Sequence, residues 1–426
     1  MNDDALMERI KQQMRDEFAR TGPPEGFPAF PDIPIERYTS DEFFELEMRH
    51  FWNKVWVMAG REEDIPNPGD YTTFDDLQAP VLLVRGTDGQ VRAFYNSCQH
   101  RGAPVVRDPK GTARQLRCQY HSWTYEITHG TLVNVPDERD FINLCKEERG
   151  LKQLRCETWQ GFVFVNQDPD AAPLQEWFGL PFAQLDQLQS ATMRAVTTHT
   201  QIIPCNWKVT AEAFLEVYHF RTIHARGPAG YDTALDNRGA AMGLLPNGCS
   251  RMITPYSESA CRAKGMKDWS DWRMDPIPGF ADIPTVNGMI RCTSAAWSLF
   301  PNFVSPVGSH GHPVLLFWPL DKRTTKLTWT WFAPKDWEGD EIPAHWRRLD
   351  DYFNEIMDED ELNMAPMQRS LESPAMTGVP INYQERRIWH FHEQVDRSIG
   401  IERIPERMRV PQLLAPYVER EPVLAD

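Results

Sequence analysis

Hydrophobic positions along this 426-residue chain change their period twice. Leu6, Ile10, Met14 and Phe18 recur at helical spacing among charges, which predicts an amphipathic helix over residues 1–20, packed on the body of the protein. Five prolines between positions 22 and 34 end it in an extended connector. Ser40 then reads as an N-cap, with Asp41 and Glu42 in the first turn. The helix that follows is expected to bury Phe43, Phe44, Leu46, Phe51 and Trp52. From Val55 to about Val165 the chain breaks into short runs (71–74, 81–84, 91–95, 162–165) separated by turn residues. Asp88-Gly89 between two such runs is a strong hairpin signal, so this stretch predicts a small all-β domain.

Beyond residue 166 the pattern mixes. Residues 194–204 predict a strand and 205–224 a helix. Residues 288–334 predict several long strands, and 341–372 and 382–398 predict helices. The division expected is residues 1–54 as an N-terminal helical segment packing on the last domain, 55–165 as the β domain, and 166–426 as a large domain. The class is α+β, with an antiparallel sheet wrapped around a long helix. Trp297, Phe300, Phe303, Phe317, Trp318, Trp329, Trp331 and Phe332 crowd the strand region, and most read as core, some as cavity lining.

Composition narrows the function. Apolar content of 41% and charged content of 25% are those of a globular protein. No apolar run reaches the length of a membrane span. The start, Met1-Asn2-Asp3-Asp4, lacks a secretory pattern. A net charge of −16 repels phosphate backbones, so no nucleic-acid partner is expected. Six of the eight cysteines are scattered without a disulfide framework, which points to reduced thiols and the cytoplasm.

The other two cysteines carry chemistry. Cys98-Gln99-His100 and Cys118-Gln119-Tyr120-His121 form two mixed hooks, C-x-H and C-x2-H, separated by seventeen residues. Two thiolates and two imidazoles in two pairs are the ligand set of a Rieske [2Fe–2S] cluster. Structural zinc and chance spacing are the alternatives, but zinc hooks usually group like ligands. The flanks go further. Tyr95-Asn96-Ser97-Cys98-Gln99-His100-Arg101-Gly102 and Cys118-Gln119-Tyr120-His121-Ser122-Trp123-Thr124-Tyr125 resemble the Rieske domain of ring-hydroxylating oxygenase α subunits. Ser122 stands where that family most often has glycine, a change expected to alter a turn or a hydrogen bond but to remove no ligand. Respiratory Rieske loops carry an extra disulfide-forming Cys in each hook; Ala103 and Tyr120 stand at those positions. Without that brace the cluster is expected to have a low potential, on the order of −150 mV.

The resemblance covers roughly residues 40–400. It implies a helix-grip (START/Bet v 1-like) catalytic domain with a mononuclear Fe(II) after the Rieske domain. In the segment 206–224, Glu212, Glu216 and His219 fall at i, i+4 and i+7 on one helical face. His219 and His224 are five apart, about 140° on a regular helix. They can share a metal only if the helix breaks, and the break is expected near 220–222. Two His and one carboxylate make the facial triad of non-haem iron oxygenases. Glu359-Asp360-Glu361-Leu362-Asn363-Met364 resembles the segment that donates the carboxylate, and the resemblance assigns it to Asp360. Read by itself, the acidic run 358–361 is a solvated helix face. Glu216, three residues before the first His, stands where the family usually has an Asp bridging the Rieske His of one subunit to the iron-ligating His of its neighbour. The longer Glu resembles the carnitine-oxygenase branch.

The expected function is the terminal oxygenase of a multicomponent system, hydroxylating an aromatic or cyclic substrate with O₂. No dinucleotide fingerprint or plant-type ferredoxin motif is present, so NAD(P)H electrons would come through a separate reductase, with or without a ferredoxin. The resemblance implies a homotrimer. Oxidative O- or N-demethylation, or quaternary-amine monooxygenation, is the alternative on the same fold. A Rieske electron carrier without oxygen chemistry and an apolar ligand-binding module are the alternatives from other classes.

Overall fold

The computed structural model describes residues 3–224, 234–273, 275 and 281–420. The chain divides into two units, Met48–Glu176 on one hand and Met1–Glu47 with Trp177–Asp426 on the other.

The first unit is all-β. Its seven-stranded sheet runs, in spatial order, Val57–Arg61, Phe162–Asn166, Gln153–Trp159, Val91–Tyr95, Val81–Arg85, Asp70–Phe74 and Lys110–Thr112, antiparallel at each pairing. A second sheet joins Gln115–Arg117, Thr124–Glu126 and Leu132–Asn134. Asp88-Gly89 turns the hairpin, with Gly89 at φ 80° in the left-handed region that lacks a penalty only for glycine. Leu82, Val84, Phe94, Leu116, Trp123 and Tyr125 fill the core, and Cys98 and Cys118 belong to it. Thus the hooks leave the ends of strands whose other faces are buried.

The second unit is built on another antiparallel sheet. Its order is Met193–Ile203, Thr324–Pro334, His312–Asp321, Phe303–Val307, Thr293–Leu299, Ser250–Pro255 and Ala241–Leu244. The long helix Ala344–Leu371 buries Trp346, Asp350, Phe353, Ile356, Met357, Asp360, Met364, Gln368 and Leu371, a stripe at spacings of three or four with Ile356 beside Met357. The helix Arg386–Ile399 is buried on nearly every face. The eight aromatics of the strand region are nearly all core; Trp331 alone among them lines the cavity described below.

The N-terminal helix forms over Asp3–Ala19 with Leu6, Ile10 and Met14 buried, as the periodicity predicts. Ser40 caps the helix Asp41–His50, its Oγ accepting from Phe43 N–H at 3.3 Å. That helix buries Phe43 and Glu47 rather than the expected apolar set; Phe44 and Leu46 are half-buried, and Phe51 and Trp52 are buried just past its end. Glu47 is inside because Lys208 meets it, Nζ to the two carboxylate oxygens at 2.8 and 2.9 Å. Arg37 likewise donates to Asp396 at 2.6 Å, both side chains fully buried. These pairs stitch residues before 48 to the rest of the second unit.

The expected helix over 205–224 is corrected. It spans only Trp207–Glu212, capped by Asn206, whose side chain accepts from Lys208 N–H. The chain then leaves helical geometry until a single turn over Phe220–Ile223. Glu212, Glu216 and His219 therefore do not share a helical face. All eight cysteines are free, with Cys145 exposed and Cys156 half-buried. Among the described residues no helix is long and apolar enough to cross a membrane.

Candidate metal centres

The two hooks are built to one plan. Cys98 N–H donates to Ala103 O at 2.8 Å and Gly102 N–H to Cys98 O at 2.9 Å. Cys118 N–H donates to Trp123 O and Ser122 N–H to Cys118 O, each at 2.9 Å. The fifth residue of each hook is left-handed, Gly102 at φ 74° and Ser122 at φ 61°. Ser122 is thus strained where glycine would not be. The altered hydrogen bond is visible as well: Arg117 donates to Ser122 Oγ at 3.0 Å. Asn96 pins the segment after the first hook, its Oδ1 accepting from Val105 and Val106 N–H at 2.9 and 3.1 Å and its Nδ2 donating to Val106 O at 2.9 Å.

The imidazoles of the two hooks come together. The imidazoles of His100 and His121 lie 4.6 Å apart, centre to centre, and Trp123 stacks on His100 at 4.9 Å. His100 Nδ1 is buried with no hydrogen-bond partner among the described residues. A buried lone pair without a donor is what a metal ligand looks like before its metal is added. Gln99 N–H donates to Tyr125 Oη at 3.0 Å, which leaves the hydroxyl proton for Cys98 Sγ at 3.2 Å. Burial raises the Cys98 thiol pKa, with Tyr125 opposing and Cys118 adding to the rise. A bound cation is what lets the Cys98 thiol ionise in that setting. The residues fit a [2Fe–2S] cluster held by Cys98, His100, Cys118 and His121.

At the second centre, His219 and His224 flank the one-turn helix Phe220–Ile223. The break expected at 220–222 lies instead at the two ends of that turn. His219 Nε2 and His224 Nε2 approach to 3.3 Å, and Asp360 Oδ1 lies 3.5 Å from the first and 3.2 Å from the second. Donors at right angles around a metal, with bonds of roughly 2.1 Å, sit about 3 Å apart. Each imidazole is oriented from behind. Glu216 contacts His219 Nδ1 and also accepts from His219 N–H at 3.1 Å. Glu359 Oε2 lies 2.6 Å from His224 Nδ1. An ionised carboxylate only accepts, so each Nδ1 carries the proton and each Nε2 lone pair points at the other and at Asp360. Burial pushes the His224 pKa down, but Asp360 and Glu359 outweigh it and the net shift is upward. Three mutually facing acceptors fit a divalent iron.

Glu359 carries no role in the sequence reading, in which the run 358–361 taken by itself is a solvated helix face; its place beside Asp360 was the available signal. Of the acidic run, Asp358 is exposed, Glu359 and Glu361 are half-buried, and burial, with Asp358 and Asp360 adjacent, raises Glu361 to about 7. Glu212 takes no part in the metal group. It is buried, accepts from Tyr38 Oη at 3.1 Å, and lies 2.7 Å from His392 Nε2. Burial raises its pKa to about 8.

A cavity of about 380 Å³ opens beside the three ligands. Phe214, Phe220, Trp331, Phe353 and Ile356 give it an apolar wall, and Glu216, His219, His224 and Asp360 close one end.

The family model described as "Ring hydroxylating alpha subunit (catalytic domain)" matches residues 186–401, and "Rieske [2Fe-2S] domain" matches residues 55–155. Biphenyl 2,3-dioxygenase subunit alpha of Rhodococcus jostii (strain RHA1) is 37% identical over 191 residues, 43% of this chain and 41% of that protein. The 2-aminobenzenesulfonate 2,3-dioxygenase subunit alpha of Alcaligenes sp. is 34% identical over 237 residues, 55% of this chain and 60% of that protein. The matches thus span less than two thirds of these relatives. Among solved structures, the quaternary ammonium Rieske monooxygenase CntA in complex with L-carnitine aligns with a TM-score of 0.70 at 22% identity, over 89% of this chain and 99% of that one. Naphthalene 1,2-dioxygenase from Rhodococcus sp. bound to indole aligns with a TM-score of 0.71 at 20% identity, over 94% and 99%. Identities this low speak for the fold alone.

Proposed function

The chain belongs to the ring-hydroxylating α-subunit family, and from that premise we propose that it is the terminal oxygenase of a multicomponent system acting on an aromatic or cyclic substrate. The observation that carries the reading is the convergence of His219 Nε2, His224 Nε2 and Asp360 Oδ1 at the end of an apolar cavity. Aromatic dioxygenation by the curated relatives supports the substrate class. Quaternary-amine chemistry draws less support. The cations Lys264 and Arg291 line the cavity, and its acids lie at the metal end.

The groups bound at the two centres supply one-electron transfer and activation of O₂. The overall reaction consumes substrate, O₂, two electrons and two protons. Cys98, His100, Cys118 and His121 hold the cluster, and His219, His224 and Asp360 hold the iron. Glu359 and Glu216 fix the tautomers that aim both Nε2 atoms inward. Phe214, Phe220 and Phe353 hold an apolar ring beside the ligands and keep water from it. A separate reductase, with or without a ferredoxin, delivers the electrons from NAD(P)H. In this reading Glu216, which meets His219 Nδ1, also takes a second imidazole from a neighbouring subunit's hook, and the assembly is a homotrimer. The compartment is the cytoplasm.

Metal analysis tests the reading. About three irons and two acid-labile sulfides per chain are expected. Asp360→Ala should lose the mononuclear iron and substrate oxidation while keeping the Rieske spectrum. Full iron and full oxidation in that variant would overturn the triad, and a fully active monomer would overturn the trimer and the Glu216 bridge.

A further inference from the structure

Among the described residues that line the cavity, two are glycines, Gly308 and Gly311, and they pair with each other at the tip of one hairpin. Gly308 N–H donates to Gly311 O at 3.1 Å. The backbone requires glycine at only one of them. Gly311 sits at φ 138°, and a β-carbon there would fall 2.4 Å from Phe332 O. Gly308 carries no such demand. Its φ lies outside the left-handed region, and the nearest atom a β-carbon would meet is Gly311 O at 3.4 Å, an ordinary contact.

The missing side chain at 308 therefore shapes the cavity rather than the chain. Val304, Pro306 and Gly308 alternate along the strand Phe303–Val307 and the residue after it, and all three line the cavity. Alternate residues of a strand share a face, so a side chain at 308 would stand beside the Pro306 ring and project into the same space. Pro306 pairs with Ala296, a member of the apolar cluster on which Phe220, between the two histidines of the triad, packs. Gly308 lies two residues further, about 7 Å along the strand. The recess it leaves is thus set back from the level of Phe220. Room is available as well. A cavity of about 150 Å³ suffices to hold benzene. This one measures about 380 Å³, more than a single ring fills.

Building on the oxygenase reading, we propose that Gly308 is a specificity residue: the cavity takes a substrate of two apolar rings, fused or linked, with one ring at His219, His224 and Asp360 and the second in the space that Gly308 leaves open. Gly308 sets the ring count by what it lacks, and it belongs to neither metal centre.

Calorimetric titration of the iron-loaded protein with 2-naphthol and with phenol, both uncharged at neutral pH, tests this. The parent should bind the two-ring compound about tenfold tighter, because the second ring leaves water for an apolar wall. Gly308→Val should abolish that preference by weakening 2-naphthol, with phenol affinity held within about twofold. Gly308→Ala, which adds one methyl, should weaken 2-naphthol about threefold and leave phenol unchanged. Equal affinity of the parent for the two compounds overturns the proposal, and so does a preference that survives Gly308→Val. Parallel loss of both compounds in the alanine variant overturns it too, since a filled recess spares the single ring. Iron content of the same preparations separates the two readings. A missing mononuclear iron counts against the oxygenase, while the ring preference is read without turnover and decides the role of Gly308 by itself.

Discussion

Ser122 occupies in the second hook the left-handed position that Gly102 occupies in the first, with φ values of 61° and 74°. The hydrogen bonds around them match one for one. A β-carbon in this region costs on the order of 1 kcal/mol, offset in part by the bond from Arg117 to Ser122 Oγ. Ser122→Gly should therefore stabilise the Rieske unit by about 0.5–1 kcal/mol, with the cluster spectrum unchanged. Denaturant unfolding followed through cluster absorbance is the measurement; a loss of stability would mean the Arg117 bond outweighs the strain.

Glu359 should matter to the iron without touching it. Its carboxylate fixes the His224 tautomer from 2.6 Å. Glu359→Ala should weaken ferrous binding at the mononuclear site by roughly 10- to 100-fold, as loss of an outer hydrogen bond to a metal-ligating imidazole commonly does. Chelator competition reads this directly. The cluster should stay intact in the same preparations.

Lys208 and Glu47 are both completely buried and answer each other's charge. Lys208→Met leaves the Glu47 carboxylate unpaired inside and should cost about 3–5 kcal/mol. The double variant Lys208→Met with Glu47→Leu should recover most of that loss in chemical denaturation. A double variant as unstable as the single one would place the damage in packing rather than charge.

Glu212 sets a pH dependence. Burial raises its folded pKa to about 8, above the unfolded carboxyl value. Between the two values the folded state holds a proton that the unfolded state has released. Its contribution to stability is therefore complete at acid pH and is lost as pH rises toward 8, with a slope of at most about 1.4 kcal/mol per pH unit. Glu212→Gln should remove this slope, so that the variant gains on the parent as pH rises from 5 to 8. Parallel unfolding curves across that range would show that Tyr38 and His392 hold the carboxylate ionised instead.

Local signals in the chain carried the helix spacing of Leu6, Ile10 and Met14, the Asp88-Gly89 hairpin, the alternating strands, and the types and spacing of the hook residues. These were legible because each depends on neighbours a few positions away. The likeness of Glu359-Asp360-Glu361 to a donor segment singled out a carboxylate on the same grounds. Other features required the tertiary structure. The run 206–224 is periodic enough for a continuous helix, yet it stops at Glu212, whose side chain meets Tyr38 and His392 from distant parts of the chain. Glu47 reads as a surface acid until Lys208, 161 positions later, meets it inside. Glu359 reads as a solvated face until His224, 135 positions earlier, turns toward it. Lys264 is one lysine among many until the fold sets it on the wall of the cavity that His219, His224 and Asp360 close. Charge and hydrogen-bond partners far apart along the chain leave no periodic trace, so only folding decides which acids are solvated, which are paired, and which orient a metal ligand.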